Sequence, residues 1–341
     1  MKIAIHQSKG SYSDYWITFC EKNNISLKIV DCYDSNIISQ LDDCIGVMWH
    51  WDLNDYKAAL FARQLGISLE KKGLKLFPDV NTSWHYDDKL GQKYLLEAVG
   101  APMVKTYVFY SEFDALKWII DTTFPKVFKL RNGAGSINVK LVKTKDAARK
   151  IIYKAFGKGF SHYDRISLLK DKIWLCRKDN KLTSLIELLS SIKRLFIPTE
   201  VERFSYNQKG YVYFQDFIPN NEYDYRIKVI GDYCWGFRRK VRKNDFRASG
   251  SGILDFDITK IPLEMIQTAF ILSKKLNFQS IAYDFVIDQK EHPLVIEMSY
   301  CFGFDEREFT NGYWTSDLIY HEKSFNPFNE MIINFLNKCN R

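Results

Sequence analysis

The stretch IAYDFVIDQKEHPLVIEM, residues 281–298, carries the reading of the fold. Two apolar runs rich in β-branched and aromatic residues flank a polar turn, the signature of an antiparallel hairpin. With Gln289–His292 as a four-residue loop, Asp288 pairs with Pro293, and the register sets Asp284 directly opposite Glu297. Opposed side chains in such a pair stand about 5 Å apart, and like charges there repel. Two readings stand: the acids face each other on otherwise apolar strands and call for a cation between or near them, or the register is slipped and both face solvent. Hard carboxylate oxygens suit Mg²⁺, which binds through one or two carboxylates plus substrate phosphates.

Working upstream, Tyr223–Arg247 reads YDYRIKVIGDYCWGFRRKVRKNDFR. With Gly231-Asp232 as a two-residue turn, Arg226 and Arg239 share one face and Arg239 faces Asp224. Two readings stand side by side: a surface ion-pair ladder, or a cationic wall that stabilises a charged transition state. Further upstream, FPKVFKLRNGAGSINVKLV (124–142) comes near to a dinucleotide-binding glycine fingerprint, but Asn138 takes the third glycine's place and a strand follows where a helix is required. A glycine hairpin can instead close over phosphates with its backbone N–H groups, with Lys129 reaching in as a point charge.

Outward from these segments the chain is ordinary globular protein, 341 residues with 46% apolar and 26% charged side chains, which excludes disordered, collagen-like and coiled-coil classes. No apolar run is long enough to span a bilayer, and the N-terminus turns polar after five residues, too early for a secretory leader. Seven scattered cysteines without a CxxC pair read as reduced thiols, so a cytoplasmic location is expected. The net charge of +8 is a local feature: residues 140–200 hold 15 Lys and Arg against 6 Asp and Glu, which accounts for all of it. Nucleic acid is therefore not expected as a partner. Short strands alternating with helices over the first eighty or so residues predict a small, mostly parallel α/β sheet. Residues 181–196, KLTSLIELLSSIKRLF, place Leu182, Leu185, Ile186, Leu189, Ile192 and Phe196 on one helical face.

In this order the segments resemble the ATP-grasp superfamily of carboxylate–amine ligases, most closely from about Trp84 to Gly303. The resemblance implies α/β and α+β architecture: a small Rossmann-like α/β domain (1–83), then an ATP-grasp fold of two α+β lobes clamping ATP. The lobes would span 84–210, with a basic helical insertion at 158–208, and 211–341, with the metal site and a C-terminal tail. Asp88-Lys89 before a helix looks like the segment supplying the first nucleotide lysine. Lys129, Gly133 and Gly135 look like the second lysine and the phosphate loop. YFQDFIP (213–219) resembles the hinge that holds adenine, implying Gln215, Phe217 and Ile218, and Glu222 matches the acid that takes the ribose hydroxyls. Asp284 and Glu297 fall where the family places its magnesium ligands. The family commonly has asparagine two residues after that glutamate. Here Ser299 stands there, and a hydroxyl is a poorer metal ligand than an amide oxygen.

The resemblance implies ATP and Mg²⁺ as cofactors and an ATP-dependent ligase that forms a C–N bond through an acyl phosphate. Arg226, Arg239 and Arg247 would hold the carboxylate and stabilise the oxyanion. The whole chain, tail included, looks like a subgroup found with bacterial surface-polysaccharide genes, which suggests a uronic-acid sugar joined to an amino acid or small amine. Alternatives from other classes are an ATP-grasp kinase acting on a hydroxyl and a non-catalytic ATP-binding protein. For the acceptor pocket, Trp49, His50, Trp51, Tyr313 and Trp314 are the candidates. The amphipathic stretch 181–196 is either part of a packed helical subdomain or dimer contact, or a peripheral contact with an anionic membrane.

Overall fold

The computed structural model describes residues 2–53, 55–133, 138–161, 165, 169, 172–174, 176, 182–197, 200–204, 206–242 and 245–340. Alternation at the N-terminus gives four short parallel strands: β1 (Ile3–His6), β2 (Leu27–Val30), β3 (Gly46–Met48) and β4 (Lys75–Phe77), in the order β2-β1-β3-β4. Between them run the helices Tyr12–Lys22, capped by Ser11, and Tyr56–Lys71, capped by Asp55. The second helix continues beyond the expected end at Leu65, because Leu69 extends the buried row of Ala58, Ala62 and Leu65 past Gly66. A helix that the sequence reading missed, Pro327–Cys339, also packs here. The Phe335 ring fills the space where a Cβ at Gly46 would stand, which explains a glycine inside β3.

The second sheet is antiparallel, with β5 (Thr106–Phe109), β6 (Lys126–Lys129), β7 (Lys140–Val142) and β8 (Val212–Asp216) in the order β5-β8-β6-β7. β8 lies between β5 and β6, so the strand expected to act as a hinge is a member of this sheet, past the expected boundary at residue 210. This sheet has a core of its own, built on Ile119, Phe128, Leu130, Ile152 and Phe214.

The third sheet holds β9 (Tyr223–Ile230), β10 (Tyr233–Lys240), β11 (Leu254–Asp255), β12 (Ser280–Ile287), β13 (Pro293–Ser299), β14 (Tyr313–Thr315) and β15 (Tyr320–His321). Its order is β13-β12-β9-β10-β14-β15, with β11 beside β10. Two hydrophobic clusters run through this sheet and the N-terminal one together, so by packing these two form one body and the first lobe another. The segment ahead of β5 joins the larger body: Val104 N–H donates to Val295 O, and Val295 N–H donates to Pro102 O.

The decisive hairpin differs from its expected geometry in two places. Asp288 does not pair with Pro293. It caps a loop one residue longer, and Ile287 pairs with Pro293 instead. A β-bulge between Asp284 and Phe285 then takes up one extra residue on β13, and Asp284 again faces Glu297. The two departures cancel.

A buried ion pair ties the turn after β13 to the sheet. Lys228 Nζ, fully buried, donates to Glu308 Oε2 at 2.6 Å and to Gly303 O at 2.8 Å, and Trp235 Nε1 donates to the same carboxylate at 2.7 Å. Burial outweighs the Glu308 charge and pushes the Lys228 ammonium down to about 8. Removing one partner of such a pair strands the other charge away from water. Glu308→Ala is expected to lower the urea-unfolding free energy by about 3–5 kcal/mol. A loss below about 1 kcal/mol would mean that Lys228 finds another acceptor or gives up its proton at little cost.

Candidate active site

One large cavity, about 520 Å³, opens between the first-lobe sheet and the seven-stranded sheet. Val127, Lys129 and Gln215 line it from one side, and Arg226, Arg239, Asp284, Ile296 and Glu297 from the other. The alternation of β6 and β8 sends Phe128 and Phe214 into the lobe core and their neighbours toward the cavity.

Asp284 is buried on the cavity wall and accepts a bidentate pair from Arg226, Nε to Oδ1 at 2.7 Å and Nη2 to Oδ2 at 2.8 Å. Arg239 Nη2 reaches the same Oδ2 at 3.0 Å while gripping Asp224 bidentately at 2.7 Å. Burial favours the neutral acid, but the two guanidinium groups prevail and hold the Asp284 carboxyl well below the usual range. For Asp224 the balance tips the other way, and burial raises it. The arginine face expected from the sequence is an ion-pair network, and that network lines the cavity. Arg247, also on the wall, is held bidentately by Asp245, with Nη2 to Oδ2 at 2.7 Å.

Glu297 meets a cation from a different element. Lys89 Nζ, at the start of the helix Lys89–Ala98, lies 3.1 Å from Glu297 Oε1 and donates to Gly133 O at 2.9 Å. Burial lowers the Lys89 pKa, and Glu297 and Asp87 more than reverse that, so the ammonium stays charged. Lys129 Nζ reaches Ile296 O, the carbonyl beside the bulge, at 3.4 Å. Burial and the neighbouring Lys89 push Lys129 down to about 8, against the pull of Glu297.

Gly133 is held to this helix start. Gly133 N–H donates to both carboxylate oxygens of Asp87, at 2.8 and 3.0 Å, and Arg131 Nη2 bonds Asp88 Oδ2 at 2.5 Å. Asp87 was not among the residues expected from sequence. The doubled aspartates before the lysine are the signal for it in the sequence. Gly135 lies outside the described residues.

Of the residues expected at the hinge, Gln215, Phe217 and Ile218 line the cavity, and Gln215 Nε2 donates to Thr106 Oγ1 at 3.1 Å. Glu222 is exposed and is not part of the lining. Ser299 lines the cavity, with its hydroxyl donating to Cys301 O at 2.9 Å.

The aromatic candidates stand elsewhere. Trp49 and Trp51 are buried in the shared core, beside a second cavity of about 100 Å³. His50 stacks on Tyr12 at 3.6 Å and meets Cys301 Sγ at 3.2 Å, behind the cavity wall. Tyr313 and Trp314 sit on β14, which pairs with β10 at Tyr233 and Cys234, the end away from Arg239. They fill core, because strands flanked by aromatic neighbours bury their rings against each other. What these N-terminal residues do touch is the turn after β13. Tyr12 OH donates to Phe302 O, Tyr300 OH donates to Trp51 O, and His50 contacts Cys301.

By sequence, the chain matches no family model and no curated protein. In three dimensions it is similar to a RimK-domain ATP-grasp protein from Sphaerobacter thermophilus DSM 20745, at 15% identity and TM-score 0.57 over 99% of this chain and 100% of that one. A D-alanine–D-alanine ligase from Bacillus anthracis, complexed with ATP, aligns at 14% identity and TM-score 0.56 over 100% and 98% of the two chains. The ATP-grasp ligase PsnB, complexed with minimal precursor, Mg and ADP, aligns at 10% identity and TM-score 0.53 over 100% and 98%. At such identities the shared property is the fold, and this chain has the ATP-grasp fold.

Just ahead of Asp87, His85 is fully buried, with no hydrogen-bond partner at either ring nitrogen among the described residues. Burial pushes it from 6.5 down to about 4. Above pH 6.5 folded and unfolded chains are both neutral there. Below it the unfolded chain takes up a proton that the folded one refuses until about pH 4, so stability falls across that window. His85→Leu is expected to remove up to about 3 kcal/mol of that fall, read from urea midpoints at pH 7 and pH 4.5. Parallel pH profiles for the variant and the parent would assign the acid sensitivity elsewhere.

Proposed function

We propose that this cavity is the active site of an ATP-dependent ligase that joins a carboxylate to an amine. The carrying observation is that Lys89, Lys129 and the facing acids Asp284 and Glu297 converge on one cavity between the two sheets. The terminal phosphoryl group of ATP passes to a carboxylate oxygen, giving an acyl phosphate and ADP. The amine nitrogen then attacks the acyl carbon, phosphate leaves with its bonding electron pair, and the nitrogen loses a proton. Lys89 and Lys129 are assigned to the phosphates, where catalysis rests on positioning and charge. Gln215, Phe217 and Ile218 are assigned to the base.

The donor set fits Mg²⁺. Among the described residues no three His, Cys, Asp or Glu side chains converge, so an ion here would take two carboxylates and complete its shell from phosphate oxygens and water. Asp284 Oδ1 accepts from Arg226 Nε, which leaves that oxygen a further lone pair. Asp284 and Glu297 would hold the ion, with Ser299 as a weaker third ligand. Bound there, Mg²⁺ supplies charge neutralisation and orientation of the phosphates. Arg226 and Arg239 keep Asp284 ionised and fixed, and Arg247 is assigned to the substrate carboxylate.

The three guanidinium groups are each already in bidentate contact with an aspartate. That observation sustains phosphoryl transfer to a hydroxyl as a second reading, since it needs no guanidinium for a carboxylate. The proposed acid is a uronic-acid sugar and the amine an amino acid or small amine, in surface-polysaccharide assembly. The support for this is the resemblance of the whole chain, tail included.

ADP release from Mg·ATP, against uronic acids and nucleotide-uronates with and without mixed amino acids, tests the reading. Turnover that requires both an acid and an amine is expected, with Lys129→Ala and Asp284→Ala each losing roughly a hundredfold or more. Turnover with a sugar alone and a stable phosphorylated product would replace the ligase with the kinase.

Two further outcomes follow from the phosphate end. The Asp87 carboxylate occupies the Gly133 N–H that a phosphate would use, so nucleotide binding displaces it. Asp87→Asn is expected to tighten Mg·ATP binding about fivefold in calorimetry. An unchanged or weaker Kd would mean that the carboxylate is not in competition. Lys129 loses its proton above about pH 8 in the free protein, and a bound phosphate restores it. Mg·ATP binding should therefore weaken above pH 8 and take up a proton, seen as a dependence of the binding enthalpy on buffer ionisation heat, absent in Lys129→Ala.

A further inference from the structure

The helix Leu182–Phe196 is oriented opposite to its expected packing. An amphipathic helix on a globular protein turns its apolar stripe inward. Here Ser191 is buried, with Leu188 and Leu195 beside it on the inward side at helical spacing. Leu185, Ile186, Leu189 and Ile192 point outward and are 44%, 58%, 59% and 41% exposed. These four make an unbroken aliphatic stripe over two turns, continued by exposed Ile197. Among the described residues, none of this helix lines the cavity.

We propose that this outward face docks on an anionic lipid interface. Charge selects the occupant. The exposed cations of the helix are Lys193 and Arg194, so a second copy docked on the same face would set like charges against each other. The single acid of the helix, Glu187, is paired with Lys172 at 2.7 Å, and Lys193 and Arg194 stand exposed in its last turn. Protein-binding hot spots are built on Trp, Tyr and Arg anchors in pockets, whereas the four exposed residues Leu185, Ile186, Leu189 and Ile192 are all aliphatic. An apolar stripe bordered by cations is the arrangement that lies in the headgroup boundary, the aliphatics entering the acyl layer and the lysines meeting phosphates. The docking is peripheral, since no helix among the described residues is long and apolar enough to cross a membrane. The inference stands apart from the nucleotide site and from what the cavity does.

Flotation of the full chain with phosphatidylcholine vesicles, with and without about one third phosphatidylglycerol, tests it. Binding is expected only with the anionic lipid and weakened by salt. Ile186→Glu/Leu189→Glu should cut the bound fraction about tenfold or more with Tm unchanged, since both side chains already face water. If that variant is unstable, Lys193→Glu/Arg194→Glu serves instead: it leaves the aliphatics in place and should abolish the dependence on anionic lipid. No flotation with either vesicle, or equal flotation with both, overturns the proposal. So does a dimer in light scattering that Ile186→Glu/Leu189→Glu splits, which would give the face to a second copy.

Discussion

Asp284 and Glu297 face each other as like charges across an antiparallel strand pair, and the arrangement around the cavity answers that repulsion. Each acid recruits its cations from a different direction. Asp284 is neutralised within the sheet, by Arg226 on the adjacent β9 and by Arg239 one strand farther. Glu297 is neutralised from outside it, by Lys89 at a helix start. Lys89 in turn binds Gly133 O, and nearby Asp87 binds Gly133 N–H, so the lysine that relieves Glu297 also fixes Gly133 against the larger body. Electrostatic necessity at one residue pair thereby links the two bodies, whose hydrophobic cores are separate.

The bulge on β13 makes that pairing geometrically possible. In the register set near the turn, where Ile287 pairs with Pro293, an undisturbed ladder would carry Asp284 opposite Ile296. A one-residue slip reverses every side chain relative to the strand opposite. The extra residue restores the facing acids and leaves the Ile296 carbonyl beside the irregularity, where Lys129 reaches it from the first lobe. Bulges are common where a sheet must re-aim a side chain at a site.

The aromatic residues of the N-terminal domain give support, while Leu53 from that domain lines the cavity. Tyr12, His50 and Trp51 hold three successive residues of the turn after β13, and Lys228 holds the fourth, Gly303. Ser299, Cys301 and Gly303 are the parts of that segment that reach the cavity. Aromatic side chains such as Tyr12, Trp16, Trp235, Phe302 and Phe328 join the N-terminal domain to the seven-stranded sheet in one core. The inverted helix 182–196 is the exception to inward packing, and its aliphatic stripe is set apart from both cores.

Local chemistry was enough to read most of the frame. Strand and helix periodicity, the Gly231-Asp232 turn, the pairing of Arg239 with Asp224 and the facing of Asp284 and Glu297 all follow from alternation and turn length, which neighbouring residues dictate. The last came through a loop one residue short and a bulge unseen, two errors that cancelled because both change register by one. The helix Pro327–Cys339, the membership of β8 in the first-lobe sheet, the Asp87–Gly133 contact and the outward turn of Leu185, Ile186, Leu189 and Ile192 were not legible. Each depends on which surfaces far apart in sequence meet. Periodicity states that a helix has an apolar face, but only the tertiary packing decides whether that face meets core or solvent. Composition likewise marks Trp49, Trp51, Tyr313 and Trp314 as aromatic. Burial against distant partners decides that they build the wall and do not line the cavity.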